Sequence, residues 1–342
     1  MRKGSGRDGE EQATDPRLTK RYSKVLMIDG HPWFFRMTGD RQDTGLLGYY
    51  GQETASQGML IAADAQGMMK LSKRFALFSS IDDFYRSVLQ HPADFFNGEH
   101  FYEVVGATTP EQKPYFDIDI DPTQFPAEVD AKSFAEKIVT LIISTVREEI
   151  AKLIIDTMKT AYVFPVTVYS TAYPIKQETG LPKKFSYHLV FQGVHFAGHE
   201  DMRRFGTSVK EQLQELAESS GEQIAALASD SIDVIWFKTR QFRLLGSSKL
   251  GSDAVKVKVH LRTFDPEAIS LDSSTYLQTL RESCVSVIPP GSHLLTLPPL
   301  PEIEETEAAG ASSPMKLRVI RSGGSVLISH ANTSSDEDRR ED

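Results

Sequence analysis

A single cysteine, Cys284, stands in a chain of 342 residues. One thiol cannot close an internal disulfide, and it cannot build a four-cysteine or two-cysteine, two-histidine zinc module. Long hydrophobic runs are missing too. No stretch approaches the roughly 18 consecutive apolar residues that a membrane span requires, so no membrane role is expected. The opening MRKGSGRDGEEQ has no apolar run behind its basic residues and does not read as a secretory signal, which points to an intracellular protein. Bases are outnumbered, with 38 Lys and Arg against 47 Asp and Glu and a formal charge of −9. What is present is ordinary: 40% hydrophobic and 25% charged residues describe a globular chain rather than a disordered or fibrous one. The length allows one large domain or two of usual size.

The negative balance does not exclude a polyanionic ligand, because the charge is uneven. Residues 230–262 hold three acids and seven bases, a local +4, whereas residues 301–342 hold nine acids and five bases, a local −4. A basic working segment beside an acidic tail is compatible with nucleic acid or nucleotide phosphate. A solvated face would show the same run.

Along the chain, residues 1–22 are polar and basic and read as a disordered lead-in. VLMI near Lys24 reads as a short buried strand, and a polar, Gly-rich stretch follows around 38–57. KRFALF from Lys73 is a strand candidate, and Ile81 to Leu89 reads as helical behind Ser79 or Ser80 as cap. EHFYEVV is a strand that runs into a loop and then into PYFDIDIDP. Phe134, Ile138, Ile142, Val146 and Ile150 recur every fourth position, which predicts an amphipathic helix from Asp130 to about Met158. VFPVTVYS and KFSYHLVFQGVHF read as strands, and residues 201–226 as a second helix. IDVIWF, QFRLL and AVKVKVHL read as three short strands. Beyond Pro289 only LRVIRSGGSVLI suggests an element. The order strand–helix–strand–strand–helix–strand between 114 and 262 predicts an α+β sheet with its helices on one face.

Three segments carry chemistry. In Phe116-Asp117-Ile118-Asp119-Ile120-Asp121 acids alternate with apolar residues, so on a strand the carboxylates line one face. Like charges in a row raise each other's pKa unless a cation neutralises them, and hard oxygen ligands suit Mg²⁺ or Mn²⁺. An acidic strand end facing solvent explains the motif equally well, and an Asp-x-Asp sugar-nucleotide glycosyltransferase remains a rival. An EF-hand fails, because Pro122 occupies the position whose turn needs glycine. In Lys183-Lys-Phe-Ser-Tyr-His-Leu-Val-Phe, the side chains of Lys184, Ser186 and His188 share one face and can all donate to phosphate oxygens. A hydrolase reading lacks the glycine pattern of a nucleophile elbow. In the third segment Asp233 precedes an apolar run and offers a third carboxylate. Arg240 and Arg243 flank Phe242, and Lys249 follows Gly246-Ser-Ser. Guanidinium forks and a flexible ammonium suit phosphate, while an exposed turn with scattered charges would look alike.

Taken in order, FDID, KFSYH and ID…FRLLGSSKLG resemble the archaeo-eukaryotic primase superfamily, most closely the eukaryotic primase-polymerases (PrimPol) and the primases of herpesviruses and large DNA viruses. The resemblance covers roughly residues 70–262, and FRLLGSSKLG is its most specific part. It implies an α+β fold: an archaeo-eukaryotic primase catalytic core with an RRM-like sheet over 111–290, preceded by an α/β subdomain over 23–110. Residues 291–342 would form a mostly disordered acidic tail. It further implies that Asp117, Asp119 and Asp233 are the catalytic metal ligands of a two-ion Mg²⁺ or Mn²⁺ site. Lys184, Ser186, His188, Arg243 and Lys249 would contact the incoming nucleotide, with Arg240 a weaker match.

The implied activity is DNA-directed nucleotidyl transfer that synthesises or extends primers on single-stranded DNA, in replication or damage tolerance. Template, primer and nucleoside triphosphates are the implied partners, with a separate helicase or single-strand-binding protein beside them. The implied location is the nucleus or the replication site of a DNA virus. The downstream zinc module of these primases cannot be built from one cysteine, which favours extension over starting a primer. A non-catalytic, primase-like nucleic-acid-binding replisome subunit is the alternative from a different class. Residues 38–70 have no counterpart in the family.

Overall fold

The structure is a computed structural model that describes residues 25–28, 30–38, 45–65, 72–89, 100–106, 109, 111–154, 164–171, 180–252, 254–268, 272–299, 317–322 and 325–330. The disorder expected over 1–22, the far end of the helix toward Met158 and most of the acidic tail lie outside them. Among the described residues the fold is α+β, with two large antiparallel sheets, a small parallel pair and seven helices. None of these helices is long and apolar enough to cross a membrane.

The chain begins with β1 (Val25–Ile28) and β2 (His31–Phe34), then α1 (Gly45–Tyr50), α2 (Gln52–Gln57), β3 (Met59–Ala65) and β4 (Ser72–Phe78). The two short helices occupy the region that looked only polar and Gly-rich, and β3 follows directly after it. A short helix α3 (Ile81–Phe84) continues into a π-helical turn, Tyr85–Leu89. Ser80 caps it by accepting from the Asp83 amide, the expected Ncap chemistry. β5 (Phe101–Val105) completes the hydrophobic centre of this sheet. Phe34, Leu46, Leu60, Ala62, Tyr102 and Val104 pack together beneath it.

β6 (Tyr115–Ile120) starts the second sheet and leads into α4 (Ala131–Leu153). Asp130 caps α4 by accepting from the Ser133 amide, and the four-residue stripe is buried as its period requires: Ile138, Ile142, Val146 and Ile150. There follow β7 (Val166–Thr171), β8 (Phe185–Phe191), β9 (Val194–Phe196), α5 (His199–Ser220), α6 (Gln223–Ser231) and β10 (Ile232–Asp233). The expected single helix over 201–226 is therefore two. Gly221 ends α5 at φ 67° with its N–H on the Ala217 carbonyl, a left-handed cap that glycine adopts without Cβ strain.

IDVIWF is a strand only over Ile232–Asp233. The chain then turns through a 3₁₀ segment, Ile235–Phe237, so that Trp236 enters the core. Gly206 makes room for it, since a Cβ there would lie 2.7 Å from the indole. The Trp236 indole N–H donates to the Tyr115 carbonyl at 3.2 Å. β11 (Arg240–Arg243) and β12 (Lys256–Val259) complete the two sheets, and α7 (Ser273–Ser283) and β13 (His293–Leu295) close this unit. Residues 297–342 form a separate unit, whose described residues include an antiparallel hairpin of β14 (Leu317–Ser322) and β15 (Ser325–His330).

The first sheet has the order β1-β2-β4-β3-β5-β11, and the second β10-β6-β8-β7-β12. Within the second, β6, α4, β7, β8, the α5–α6 pair and β10 form a split β-α-β arrangement, with the fourth strand beside the first and the third between first and second. Apolar Phe116, Ile118 and Ile120 are buried on one face of β6, and the Phe116 ring meets Phe205 of α5 at 6.4 Å. Each such fully buried large side chain contributes about 1.5–3 kcal/mol. The opposite face of this sheet meets the edge of the first sheet.

Candidate active site

Strand pairing builds the site. β8 lies antiparallel to β6 with Asp117 opposite His188 and Asp119 opposite Ser186. β10 sets Asp233 opposite Asp117. On the far side of β8, Tyr169 stands opposite His188 and Thr171 opposite Ser186, and β12 then places Lys256 opposite Thr171. Paired residues share a face, so two cross-strand rows run along the side away from the helices: Asp233–Asp117–His188–Tyr169 and Asp119–Ser186–Thr171–Lys256.

The first sheet supplies the facing wall. Phe242 of β11 stacks on the His188 imidazole, 4.1 Å between centroids and 25° between planes, and meets the Tyr115 ring at 5.4 Å. Arg243 is buried, and its guanidinium donates to the Thr171 hydroxyl at 3.3 Å and the Ala254 carbonyl at 3.4 Å. A cavity of about 90 Å³ is thereby lined by Tyr102, Asp117, Asp119, Lys184, Ser186, His188, Gln241, Arg243 and Lys249. A wider groove of about 550 Å³ shares Tyr102, Gln241 and Lys249 with it and adds Asp64, Lys73, Thr239, Arg240 and Leu250.

The electrostatics are those of confined like charges. Burial pushes the Asp117 carboxyl up to about 6, helped by the neighbouring carboxylates of Asp119 and Asp233. Lys184 forms an ion pair with Asp119. His188 Nε2 lies 3.4 Å from Asp117 Oδ1, and burial holds the imidazole well below its ordinary value, with Lys256, Arg243, Lys249 and Lys184 acting in the same direction. Three polar atoms at this spot are buried without a hydrogen-bond partner: Asp119 Oδ1, His188 Nδ1 and Arg243 Nε. An orphaned carboxylate oxygen, a guanidinium N–H and a ring nitrogen whose role depends on the tautomer are costly in a folded core and mark a place made for further partners.

Of the nine residues singled out from sequence, seven line one cavity: Asp117, Asp119, Lys184, Ser186, His188, Arg243 and Lys249. Asp233 is placed beside Asp117 by register, yet it is exposed and does not line the cavity. Arg240 is exposed and lines the wider groove instead. Among the described residues, no three His, Cys, Asp or Glu side chains are grouped closely enough to hold one metal ion. The carboxylate pair itself suits a hard cation: its donors are all oxygen, one of them is buried unpartnered, and burial together with the charges of Asp119 and Asp233 disfavours ionisation of Asp117.

Sequence reasoning missed Tyr102, Gln241, Phe242, Lys256 and Asp64. Asp64 on β3 accepts from the Tyr102 hydroxyl at 2.9 Å and the Leu250 amide at 3.3 Å, and lies 3.4 Å from the Lys73 ammonium. It thus ties the first sheet to the Lys249 turn. Only the strand reading of QFRLL gave any signal for this wall, because Asp64 lies 186 residues from Leu250. The chain matches no family model, and no curated protein matches it.

Proposed function

We propose that this chain is a template-directed nucleotidyltransferase of the primase-polymerase kind, extending a primer on single-stranded DNA. One observation carries the reading: two adjacent carboxylates and five phosphate-suited donors, from distant parts of the sequence, line a single small cavity. The primase-like motif order and the split β-α-β sheet, which has the strand order of an RRM-like core, support it.

Asp117, Asp119 and Asp233 would hold the Mg²⁺ or Mn²⁺ pair, which when bound supplies charge neutralisation at the reacting phosphate and activation of the attacking 3′-hydroxyl. The chain's own residues do the positioning. Lys184, Ser186 and His188 form a rail for the triphosphate, with His188 Nδ1 lacking any protein partner. Arg243, with its Nε unsatisfied, provides a fork for phosphate oxygens, and Lys249 adds a flexible charge at the mouth. The wider groove, with Lys73, Arg240 and Lys249, is the path for the nucleic-acid backbone.

Extension of a primed single-stranded template with Mn²⁺ or Mg²⁺ tests this. Wild type should incorporate nucleotides, and both Asp119→Ala and Asp233→Ala should lose incorporation while still binding template. No incorporation by wild type with any metal or nucleotide, alongside retained template binding, would leave a non-catalytic template-binding subunit. Turnover of a nucleotide sugar would mean a glycosyltransferase.

A further inference from the structure

Lys256 is a strongly buried cation at the site that the motifs do not account for. It is 1% exposed, and among the described residues it meets no carboxylate within ion-pair distance. Burial of an ammonium without a counter-ion is costly, so its retention needs a reason. Its Nζ donates to the Arg243 carbonyl at 2.5 Å. The same Nζ lies 4.4 Å from the centroid of Phe242 and 4.9 Å from that of Tyr169, within cation–π range of both. Its backbone is pinned as well: the Lys256 amide donates to Ser247 O at 3.0 Å, and its carbonyl accepts from Gly246 N at 2.8 Å. One residue therefore fastens β12 of the second sheet to β11 and the turn that follows it.

We propose that Lys256 is a positioning residue for triphosphate binding, fixing the Arg243 backbone and the Phe242 ring that stacks on His188. It lines neither cavity and acts only through those neighbours. Arg243 can point its fork inward because its carbonyl is held from behind, while its Nη1 is held by Thr171 and Ala254. His188 is kept on the phosphate face by a ring that the Lys256 ammonium also contacts. Desolvation and the nearby Arg243 charge push the Lys256 ammonium down to about 7.

The inference rests on the nucleotidyltransferase reading, and the test separates the two. Equilibrium binding of a fluorescent deoxynucleoside triphosphate with Mg²⁺ is compared for wild type, Lys256→Met and Lys256→Gln, with melting temperatures alongside. Lys256→Met, which keeps the stem and removes the donor, should weaken binding by about tenfold, the scale of one hydrogen bond from a charged donor. Lys256→Gln, which can still donate to the Arg243 carbonyl, should restore most of it. A merely structural residue would instead lower the melting temperature in both variants and leave triphosphate affinity of the folded protein unchanged. Wild-type affinity in Lys256→Met would overturn the role of Lys256 alone, whereas no triphosphate binding by wild type would overturn the functional reading first. Should Lys256→Met not fold, Phe242→Leu removes the ring and keeps the charge. It should weaken binding several-fold, and unchanged affinity there would equally refute the role.

Discussion

Asp117 and Asp119 are two residues apart, and the pleat of β6 turns that spacing into two carboxylates on one face. Ser186 and His188 repeat the device on β8, and antiparallel pairing matches the two pairs residue for residue. A second group of buried charges lies behind the site. Glu103 accepts from the amides of Val285 and Ser286, both at 2.8 Å, and Lys113 donates to the Arg281 and Glu282 carbonyls at the end of α7. An ammonium at a helix C-terminus is favoured by the dipole, yet burial pushes Lys113 down to about 8. The folded value lies below the ordinary 10.5, so between about 8 and 10.5 the unfolded chain binds more protons and folding stability rises with pH. Urea unfolding of wild type and Lys113→Met across that window should show the wild-type advantage growing as pH rises. A constant difference would mean that Lys113 titrates alike in both states.

At the scale of elements, the tightest fit is that of α5 against the 3₁₀ turn after β10. Trp236 is fully buried and tethered to Tyr115, so it cannot swing away from a side chain at position 206. Gly206→Ala should destabilise by about 1–3 kcal/mol through overpacking, seen as a melting temperature lowered by several degrees. An unchanged transition would show that α5 can shift. Elements with a clean period were legible in the sequence, namely the stripe of α4 and the alternation of β6 and β8, as was a serine cap at 79 or 80, which Ser80 fills. The split β-α-β order between β6 and β10 followed from them. By contrast α7 was not legible, because Thr279 and Ser283 sit among its buried residues and satisfy their hydroxyls on carbonyls of their own helix, which erases the apolar stripe. β3 lacked polar alternation for a different reason: Leu60, Ile61, Ala62 and Ala63 are all buried, so both faces are covered. β11 was placed as a strand, but its partner could not be read. It pairs with β5, more than 130 residues earlier in the sequence, and so joins the sheet that no local pattern tied it to.

For the molecule as a whole, that long-range pairing decides how charge is used. The chain carries −9 overall, yet the groove beside the carboxylate cavity gathers Lys73 from β4, Arg240 from β11 and Lys249 from the turn beyond it. A single acid, Asp64, stands among them, and its oxygens are engaged by Tyr102, Leu250 and Lys73. Net charge therefore misstates the field that a nucleic-acid strand would meet at this face. Three cations in contact with a single strand release counterions in proportion, giving a slope of about −2 for log affinity against log salt. Measured by fluorescence anisotropy on a short single-stranded oligonucleotide, wild type should show that slope. Lys73→Ala combined with Arg240→Ala should reduce it to roughly −0.7, the value for one remaining contact. Neither side chain touches the carboxylate cavity, so triphosphate affinity should be unchanged in the same double variant. A slope that survived the double substitution would move the strand to another face, while the cavity built by β6, β8 and β11 would keep its assignment.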